Sequence, residues 1–331
     1  MKRPTIHDVA AAAGVSRGTV SRLLNGDKYV SPAARVAIER AISETGYVVN
    51  RAARSLVTQR TGSVVMVLSE PHEKLFEDPN YSTLIRVAIR MLAERDLSLV
   101  MMLAGNEGDR ERVVRYVRGG HADGVLLVST HAGDPLLDAL KDGPPAVSCG
   151  PVIGRETVIP YAAADDRLGA RQMTEYFVRL GRKRIAMITG PMDTPGGIQR
   201  LEGFADVLGR RATKRLIAHG DWTQASGERA MKELLERTPD IDAVFVASDL
   251  MAAGALAALR AAGRRVPDDV AVGGFDDSSV AVSTHPPLTT IRQPLAETAK
   301  ETVRLLLALI DGAEHVEPVV LPTELIIRES A

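Results

Sequence analysis

Two arginines and a serine near the N-terminus have the types and the spacing of a surface that reads DNA bases. Arg17, Ser21 and Arg22 would lie together on the outer side of a short helix, close to its first turn. An arginine in the major groove can donate two parallel hydrogen bonds to O6 and N7 of a guanine. The spacing therefore predicts a recognition helix that enters the groove by its N-terminal end.

A second set of side chains, later in the chain, has the composition of a sugar-binding site. Arg200 and Asp276 would form hydrogen bonds with paired hydroxyl groups, and Ser248 is a further candidate. Trp222 is the only tryptophan of the chain, and its indole could lie under the apolar face of a sugar ring. We therefore expect these four residues to bind a small polar ligand.

Two helices joined by a tight turn would position the DNA-reading side chains. Thr5 with Asp8 predicts a capped helix start, Gly14 fits the left-handed residue that ends a helix, and Ser16 can cap the next one. The apolar residues at helical spacing are Ile6, Val9, Ala10 and Ala13 before the turn, and Val20, Leu23 and Leu24 after it. The pattern predicts a helix-turn-helix.

A third helix completes this small N-terminal domain. Ser31 supplies a cap and Pro32 a first-turn proline, and Gly46 with Tyr47 would end the helix. The residues that we expect to face the core are Val36, Ala37, Ile38, Ala41 and Ile42.

One motif in this region imitates an enzyme. Gly14 to Gly18 matches the G-x-S-x-G nucleophile elbow, but that motif needs a strand before its serine, and here a helix precedes Ser16. Neither a dinucleotide-binding G-x-G-x-x-G nor a phosphate-binding G-x-x-x-x-G-K-[ST] is present. We therefore expect no enzymatic activity and no cofactor.

From Ser63 onward, short apolar runs alternate with amphipathic segments of helical length. Continuous apolar strands between helices are typical of parallel sheets that are covered on both faces. The runs fall into two series, the first up to about residue 148 and the second from about residue 184. The predicted fold is an α/β core of two doubly wound parallel-sheet subdomains, preceded by the all-α helix-turn-helix headpiece.

The ends of the predicted strands place the ligand-binding candidates together, because ligands of open parallel sheets bind beyond the carboxyl ends of the strands. We interpret Asp249 and Asp277 as helix N-caps rather than as ligand-binding residues. The residues that follow the strands are Ser69-Glu70, Ser129, Gly150, Pro191 to Gly197, Asp221-Trp222, Ser248-Asp249 and Asp276-Asp277.

The bulk properties fit a regulator with separate DNA-binding and sensing parts. Residues 1–60 carry ten lysines and arginines against four acids, a balance of +6, whereas the remaining residues carry 31 against 38, a balance of −7. Cys149 is the only cysteine, and no Cys/His spacing predicts a metal site. No signal peptide and no membrane-spanning apolar run is visible in the 331 residues, so we expect a cytoplasmic protein.

These motifs together resemble the lactose-repressor/galactose-repressor (LacI/GalR) family of bacterial transcription regulators over essentially the whole chain. In the N-terminal part the similar segments are Thr5 to Ala10, Ala13 to Ser16, Thr19 to Arg22, Leu24-Asn25, Val30 to Pro32, Gly46-Tyr47 and Asn50 to Leu56. In the core they are Gly190-Pro191, Arg200 to Phe204, Gly220 to Trp222, Ala247 to Asp249, Gly274 to Asp277 and Pro287 to Ile291.

The resemblance implies a homodimer that binds a near-palindromic, double-stranded operator. It also implies a hinge helix from Asn50, which orders on DNA and inserts Leu56 into the minor groove, with Ala53 small enough for close approach. The predicted DNA-binding residues are Thr5, Ser16, Arg17, Gly18, Thr19, Ser21, Arg22, Asn25, Tyr29, Ser31, Asn50, Ala53 and Leu56.

For the core, the resemblance implies the periplasmic-binding-protein arrangement of type I, in which the chain crosses three times between its subdomains. The predicted effector-binding residues are Ser69, Phe76, Tyr161, Thr194, Arg200, Trp222, Ser248, Asp276 and Gln293. The predicted domains are 1–47 for the headpiece, 48–60 for the hinge, and 61–331 for the core, which divides into 61–161 with 292–321 and 162–290 with 322–331.

Three departures from the family pattern leave the particular effector open. Ser248 stands where many sugar-sensing members have asparagine, Gly150 stands where several have aspartate, and Thr194 to Gly197 replaces a more polar loop. Ser69 to Tyr81 looks most like the cellobiose- and β-glucoside-responsive regulators of actinobacteria. We expect a repressor that a mono- or oligosaccharide releases from its operator. The alternatives are a regulator activated by a purine or sugar-acid corepressor, in which Arg200 would hold the carboxylate, and a solute-binding protein.

Overall fold

The chain divides into two units, residues 1–62 and residues 63–331. The computed structural model describes residues 4–24, 29–47 and 60–331. Within the described part of the first unit, α1 (Ile6–Ala13) packs against α2 (Arg17–Leu24) and α3 (Pro32–Thr45). The predicted helix-turn-helix headpiece is confirmed.

Local hydrogen bonds define the ends of the first two helices. The carboxylate of Asp8 accepts from the backbone N–H of Thr5 at 2.7 Å and from its hydroxyl at 2.7 Å. Gly14 adopts the left-handed conformation, with a φ of 65°, and so ends α1. The hydroxyl oxygen of Ser16 accepts from the backbone N–H of Thr19 at 3.1 Å, which caps the start of α2.

The third helix begins and ends as predicted, but its buried face is narrower. Ser31 accepts from the N–H of Ala34 at 3.3 Å, and Gly46 has a φ of 65°. The prediction for Val36 is wrong, because its side chain is 65% exposed. Two residues rotate a helix by about 200°, so Val36 and the buried Ile38 lie on opposite faces. The core residues of this unit are Val9, Ala10, Val20, Val30, Ile38 and Ala41.

The first sheet of the core is entirely parallel. Its strand order is β11-β5-β4-β3-β1-β2. Along β1, Val64 and Met66 belong to one apolar cluster, and Val65 and Val67 belong to another. Both faces are therefore buried, which explains why the strand is a continuous apolar run. The strands are β1 (Ser63–Leu68), β2 (Ser98–Leu103), β3 (Gly124–Val128), β4 (Ala146–Cys149), β5 (Tyr161–Ala164) and β11 (Val319–Leu321).

The second sheet is parallel except at one edge. Its order is β12-β10-β9-β8-β6-β7, and β12 pairs antiparallel with β10. The strands are β6 (Ile185–Thr189), β7 (Ile217–His219), β8 (Ala243–Val246), β9 (Ala271–Asp276), β10 (Thr289–Arg292) and β12 (Glu324–Ile326). Two doubly wound α/β subdomains result, as predicted.

Ten α-helices accompany the two sheets within residues 63–331. Those of the first subdomain are α4 (His72–Glu77), α5 (Pro79–Ala93), α6 (Glu107–Arg118), α7 (Pro135–Leu140) and α13 (Leu295–Ile310). Those of the second subdomain are α8 (Asp166–Arg179), α9 (Pro195–Leu208), α10 (Gln224–Arg237), α11 (Asp249–Ala261) and α12 (Ser279–Ser283).

The chain crosses between the subdomains three times. The crossings follow Ala164 at the end of β5, Arg292 at the end of β10 and Leu321 at the end of β11. The boundary that we predicted between residues 161 and 162 falls inside β5, because this strand of small residues pairs with β4 and β11 in the first sheet. None of the described helices has both the length and the apolar character that a membrane span requires.

Candidate functional site

The headpiece presents a basic surface along α2. Arg17, Arg22 and Gly18 are exposed, and Ser21 is half-buried. Within the described residues, neither guanidinium of Arg17 and Arg22 forms an ion pair. Exposed guanidinium groups of this kind can contact a DNA backbone or a base edge.

The other predicted DNA-binding residues lie at the helix ends or outside the described part. Tyr29 is 89% exposed just before α3. Thr5, Ser16 and Ser31 are exposed helix-cap residues, and Thr19 is half-buried in α2. The predictions for Asn25, Asn50, Ala53 and Leu56 lie outside the described residues.

A cavity in the core lies at the carboxyl ends of strands from both sheets. The space between its walls measures about 1060 Å³, which includes the part that is open to solvent. Both subdomains contribute to its wall, Tyr81 and Ser129 from the first and Arg200 and Trp222 from the second. The predicted effector-binding residues in the wall are Thr194, Arg200, Trp222, Ser248, Asp276 and Gln293.

Arg200 is held by several groups at the floor of the cavity. Its Nε and one Nη each lie 2.8 Å from Oδ1 of Asp166, and the other Nη donates to the carbonyl oxygen of Ala247. Its guanidinium carbon lies 3.7 Å from the ring centre of Phe275 and 5.3 Å from that of Trp222. Ion pair, carbonyl and rings together fix the guanidinium, and Asp166 balances its charge.

Asp276 is buried beside this arginine. Its Oδ1 accepts from Nε2 of Gln293 at 2.6 Å and lies 3.7 Å from Nη1 of Arg200. Burial raises the pKa of Asp276 well above its usual range, although Arg200 opposes the shift. The backbone φ of Asp276 is 124°, a strained value outside glycine. Strain and desolvation together make Asp276 a candidate functional residue.

The indole of Trp222 depends on a glycine. Trp222 has a φ of 73°, and its ring lies against Gly190, where a Cβ atom would be 2.0 Å from the indole. Only glycine leaves room at that position without displacing the ring. The sequence motif Gly190-Pro191 therefore shapes the aromatic wall of the cavity.

The cap interpretation of Asp249 and Asp277 is wrong. Ser248 is the N-cap of α11, since its hydroxyl oxygen accepts from the N–H of Met251 at 3.2 Å. Ser248 therefore caps a helix and also lines the cavity. The two aspartates instead join distant segments of the second subdomain.

Asp249 is fully buried and accepts from the hydroxyl of Thr290 at 2.6 Å and from the N–H of Ser278 at 2.8 Å. Burial raises the pKa of Asp249 to about 7. Asp277 accepts from Arg292 at 2.7 Å and from Arg328 at 2.6 Å. A sequence pattern cannot reveal these roles, because every partner is far along the chain.

Three predicted effector residues do not line the cavity. Ser69 is buried and continues β1, since its N–H donates to the carbonyl oxygen of Val128 at 3.1 Å. Phe76 lies on α4 and is 85% exposed. Tyr161 is half-buried at the start of β5. Our sequence analysis did not predict α4. This helix contains Phe76 and determines where its side chain points.

Two acidic residues of the cavity wall were not predicted. Asp78 caps α5, accepting from the N–H of Asn80 at 2.9 Å, and Asp166 opens α8 and binds Arg200. Burial raises the pKa of Asp78, and burial also raises that of the nearby Tyr81. The pair Asp78-Pro79 is a helix-start signal in the sequence and could have identified the position of Asp78.

A charged cluster joins the two subdomains beside the cavity. The buried Glu70 accepts from the hydroxyl of Ser129 at 2.7 Å and from Nζ of Lys74 at 2.9 Å, and it lies 3.3 Å from Nε2 of His131. Nδ1 of His131 lies 2.9 Å from Oδ2 of Asp193, which belongs to the second subdomain. Burial alone would raise the pKa of Glu70, but the hydrogen bonds from His131, Lys74 and Ser129 lower it. Among the described residues, no group of acids, histidines and cysteine could hold a metal ion.

Two family models match the chain. Residues 5–50 match the model for bacterial regulatory proteins of the lacI family, and residues 174–331 match a periplasmic binding protein-like domain. The transcriptional regulator CelR of Thermobifida fusca is 48% identical over 336 residues, covering 99% of this chain and 98% of CelR. The ribose operon repressor of Escherichia coli strain K12 is 35% identical and covers 92% of each chain.

Two solved structures of transcriptional regulators are also similar to this chain over nearly its whole length. A complex of the regulator CelR with cellobiose has a TM-score of 0.79 and 45% identity, covering 99% of this chain and 100% of that one. The Lac repressor dimer bound to operator and the anti-inducer ONPF has a TM-score of 0.87 and 28% identity, covering 99% of each chain.

Proposed function

Because this chain belongs to the lacI family of bacterial regulatory proteins, we propose that it is a repressor whose effector is a neutral disaccharide of the cellobiose type. As a member of that family, it is a DNA-binding transcriptional regulator and not an enzyme. In this proposal the effector occupies the cavity between the subdomains of the core, and its binding releases the operator.

The observation that carries the proposal is the bonding of Arg200. Asp166 and the carbonyl oxygen of Ala247 already engage its guanidinium, and Phe275 covers one of its faces. A carboxylate or phosphate of an effector would meet a guanidinium whose charge Asp166 already balances. It would also approach the buried Asp276, whose carboxylate repels an anion when it is ionised. This arrangement favours a neutral saccharide over a sugar acid.

The remaining polar groups of the wall match a molecule with many hydroxyls. Asp276 and Ser248 can accept from hydroxyl donors, and the amide of Gln293 can both donate and accept. The face of Trp222 can contact the C–H side of a pyranose ring. A purine would present few donors to these acceptors. We therefore place the effector against Thr194, Arg200, Trp222, Ser248, Asp276 and Gln293.

Similarity to a cellobiose-binding regulator supports the choice of sugar. The CelR–cellobiose complex is 45% identical to this chain over nearly its whole length. A β-linked glucose disaccharide is accordingly the first effector to test.

On the DNA side, we propose that two headpieces of a cytoplasmic homodimer bind the two halves of one operator. Arg17 and Arg22 would contact base edges in the major groove, while Asn50, Ala53 and Leu56 would form the minor-groove contact. Effector binding would weaken operator binding, and by linkage the operator would weaken effector binding by the same factor.

Calorimetry and a DNA-binding assay on the full chain test this proposal. Cellobiose, glucose, cellobionate and hypoxanthine are titrated into the protein, and each ligand that binds is added to a fluorescent complex of protein and operator. We expect cellobiose to bind and to release the operator. Binding of hypoxanthine alone, or a ligand that tightens the DNA complex, would contradict the proposal.

A further inference from the structure

Asp78 is a carboxylate in the cavity wall with one oxygen uncommitted. It lies between α4 and α5, and its Oδ1 accepts the N–H of Asn80 at 2.9 Å, which caps α5. Within residues 63–331, no protein group donates a hydrogen bond to its Oδ2. Its side chain is half-buried, which removes part of the water around the carboxylate and raises the pKa of Asp78. A desolvated acceptor in a cavity wall is suited to a hydroxyl donor of a ligand.

The charge balance of the cavity is negative. The charged residues in its wall are Asp78, Asp166, Asp276 and Arg200, which give a formal charge of −2 when all are ionised. Asp166 neutralises Arg200 through direct contact. Asp276 lies 3.7 Å from Nη1 of the same arginine, so Asp78 is the carboxylate of the wall that forms no ion pair among the described residues.

These two carboxylates belong to opposite subdomains. Asp78 precedes α5 of the first subdomain, and Asp276 ends β9 of the second. Both line the same cavity, and the charge of Asp78 adds to the larger effect of burial in raising the pKa of Asp276. Approach of the subdomains therefore brings two like charges together across the cavity.

We propose that Asp78 is the hydroxyl acceptor contributed by the first subdomain, and that it excludes anionic relatives of the effector. The inference rests on the proposed function, because it assumes a saccharide in this cavity. A neutral sugar can donate one hydroxyl to Asp78 and another to Asp276. These hydrogen bonds offset the repulsion between the two carboxylates and so favour approach of the two subdomains. A ligand carboxylate adds a third negative charge and opposes this approach.

The test uses Asp78→Asn in the full chain. Asparagine caps helices as well as aspartate does, so α5 keeps its start while the charge is lost. Hydrogen bonds to charged groups are worth more than neutral ones, so we expect about 10- to 100-fold weaker cellobiose binding by calorimetry. The ratio of the dissociation constants of cellobionate and cellobiose should fall towards one.

The matched control is Glu77→Gln, which removes the same charge from the adjacent, exposed residue outside the cavity wall. It should leave both dissociation constants unchanged. Thermal stability and operator binding without effector are measured for each variant. Should Asp78→Asn lower thermal stability, Asp78→Ser, which keeps a good cap in a smaller side chain, replaces it.

The outcomes separate the two proposals. Asp78→Asn and the wild-type chain could bind cellobiose equally tightly and show the same ratio of the dissociation constants of cellobionate and cellobiose. In that case the assignment of Asp78 is wrong and the proposed function stands. If no neutral saccharide binds the wild-type chain, the proposed function is wrong, and the role of Asp78 falls with it.

Discussion

Nδ1 of His131 lies 2.9 Å from Oδ2 of Asp193 and thereby joins the two subdomains of the core. A backbone hydrogen bond of 2.7 Å, from the N–H of Ala132 to the carbonyl oxygen of Asp193, lies next to it. On its other side, His131 contacts the buried Glu70. The contacts of His131 stabilise the arrangement of the two subdomains around the cavity. The imidazole of His131 is a group that titrates.

The first prediction is that His131 makes the stability of the core depend on pH. Its hydrogen bonds with Glu70 and Asp193 raise the pKa of His131 to about 9, against the opposing effect of burial. A raised pKa means that the folded state retains the proton more strongly. The stabilisation of the folded state by protonated His131 is complete below pH 6.5 and is lost as the pH rises through about 9. We expect about 1–2 kcal/mol, less than the full shift implies, because the pair is partly exposed.

Urea unfolding of the wild-type chain and of His131→Gln, from pH 6 to pH 10, measures this contribution. The difference in the free energy of unfolding should be largest near pH 6 and should approach a small constant near pH 10. His315→Gln is the control, since His315 contacts only the exposed Glu317. A pH-independent difference for His131→Gln would contradict the prediction.

The second prediction concerns Gly190→Ala. The new Cβ atom would lie 2.0 Å from the indole of Trp222, so the ring must leave its place in the cavity wall. We expect about 10-fold weaker saccharide binding, taking as a guide the value of about 1–3 kcal/mol for stacking of a nucleobase on one aromatic side chain. Trp222 is the only tryptophan, so its fluorescence emission reports the displacement directly.

Gly108→Ala serves as the control for that substitution. Gly108 lies in the first turn of α6, and a Cβ atom there meets only the side chain of Asn106, at 3.5 Å. This variant should keep the wild-type emission spectrum and saccharide affinity. An unchanged spectrum in Gly190→Ala would show that the indole does not depend on the glycine.

The third prediction is that Asp249 is a structural residue. Asp249→Ala leaves the hydroxyl of Thr290 and the N–H of Ser278 without their acceptor in a buried site. We expect a loss of about 2–4 kcal/mol in the free energy of unfolding. Asp268→Ala, which breaks an exposed pair with Arg265, should cost less than about 0.5 kcal/mol. Equal losses in the two variants by urea unfolding would refute the assignment.

The contrast between Ser16 and Asp249 shows which features the sequence could predict. The cap of Ser16 and the left-handed Gly14 depend on partners within five residues, so the sequence contains all the information needed. Asp249 has partners 29 and 41 residues away. Its identity as a helix-start residue was visible, but its hydrogen bonds depend on how distant strands pack.

The cavity shows the same distinction. Trp222 and Asp276 were predicted because the carboxyl ends of parallel strands share one edge of a sheet. Asp78 and Asp166 enter the wall through the arrangement of the subdomains at their crossings, which no strand pattern specifies. Phe76 was predicted from the resemblance alone, and in the structure it lies on the short α4 with its side chain 85% exposed.

The fourth prediction concerns base recognition by Arg22. Arg22 is exposed on α2 and forms no ion pair within the described residues. If it bonds a guanine, Arg22→Ala should weaken operator binding by about 1–3 kcal/mol. Binding to DNA of scrambled sequence should change far less, so the ratio of the two affinities falls. Fluorescence anisotropy at fixed salt measures both dissociation constants.

A phosphate contact would give a different result, which salt titration separates. Loss of one phosphate contact weakens both DNA molecules alike and reduces the slope of log K against log salt by about one. Arg35→Ala, which removes an exposed arginine from α3 instead of α2, is the matched control and should retain the specificity ratio. An equal loss on operator and scrambled DNA for Arg22→Ala would assign Arg22 to the DNA backbone and contradict base recognition.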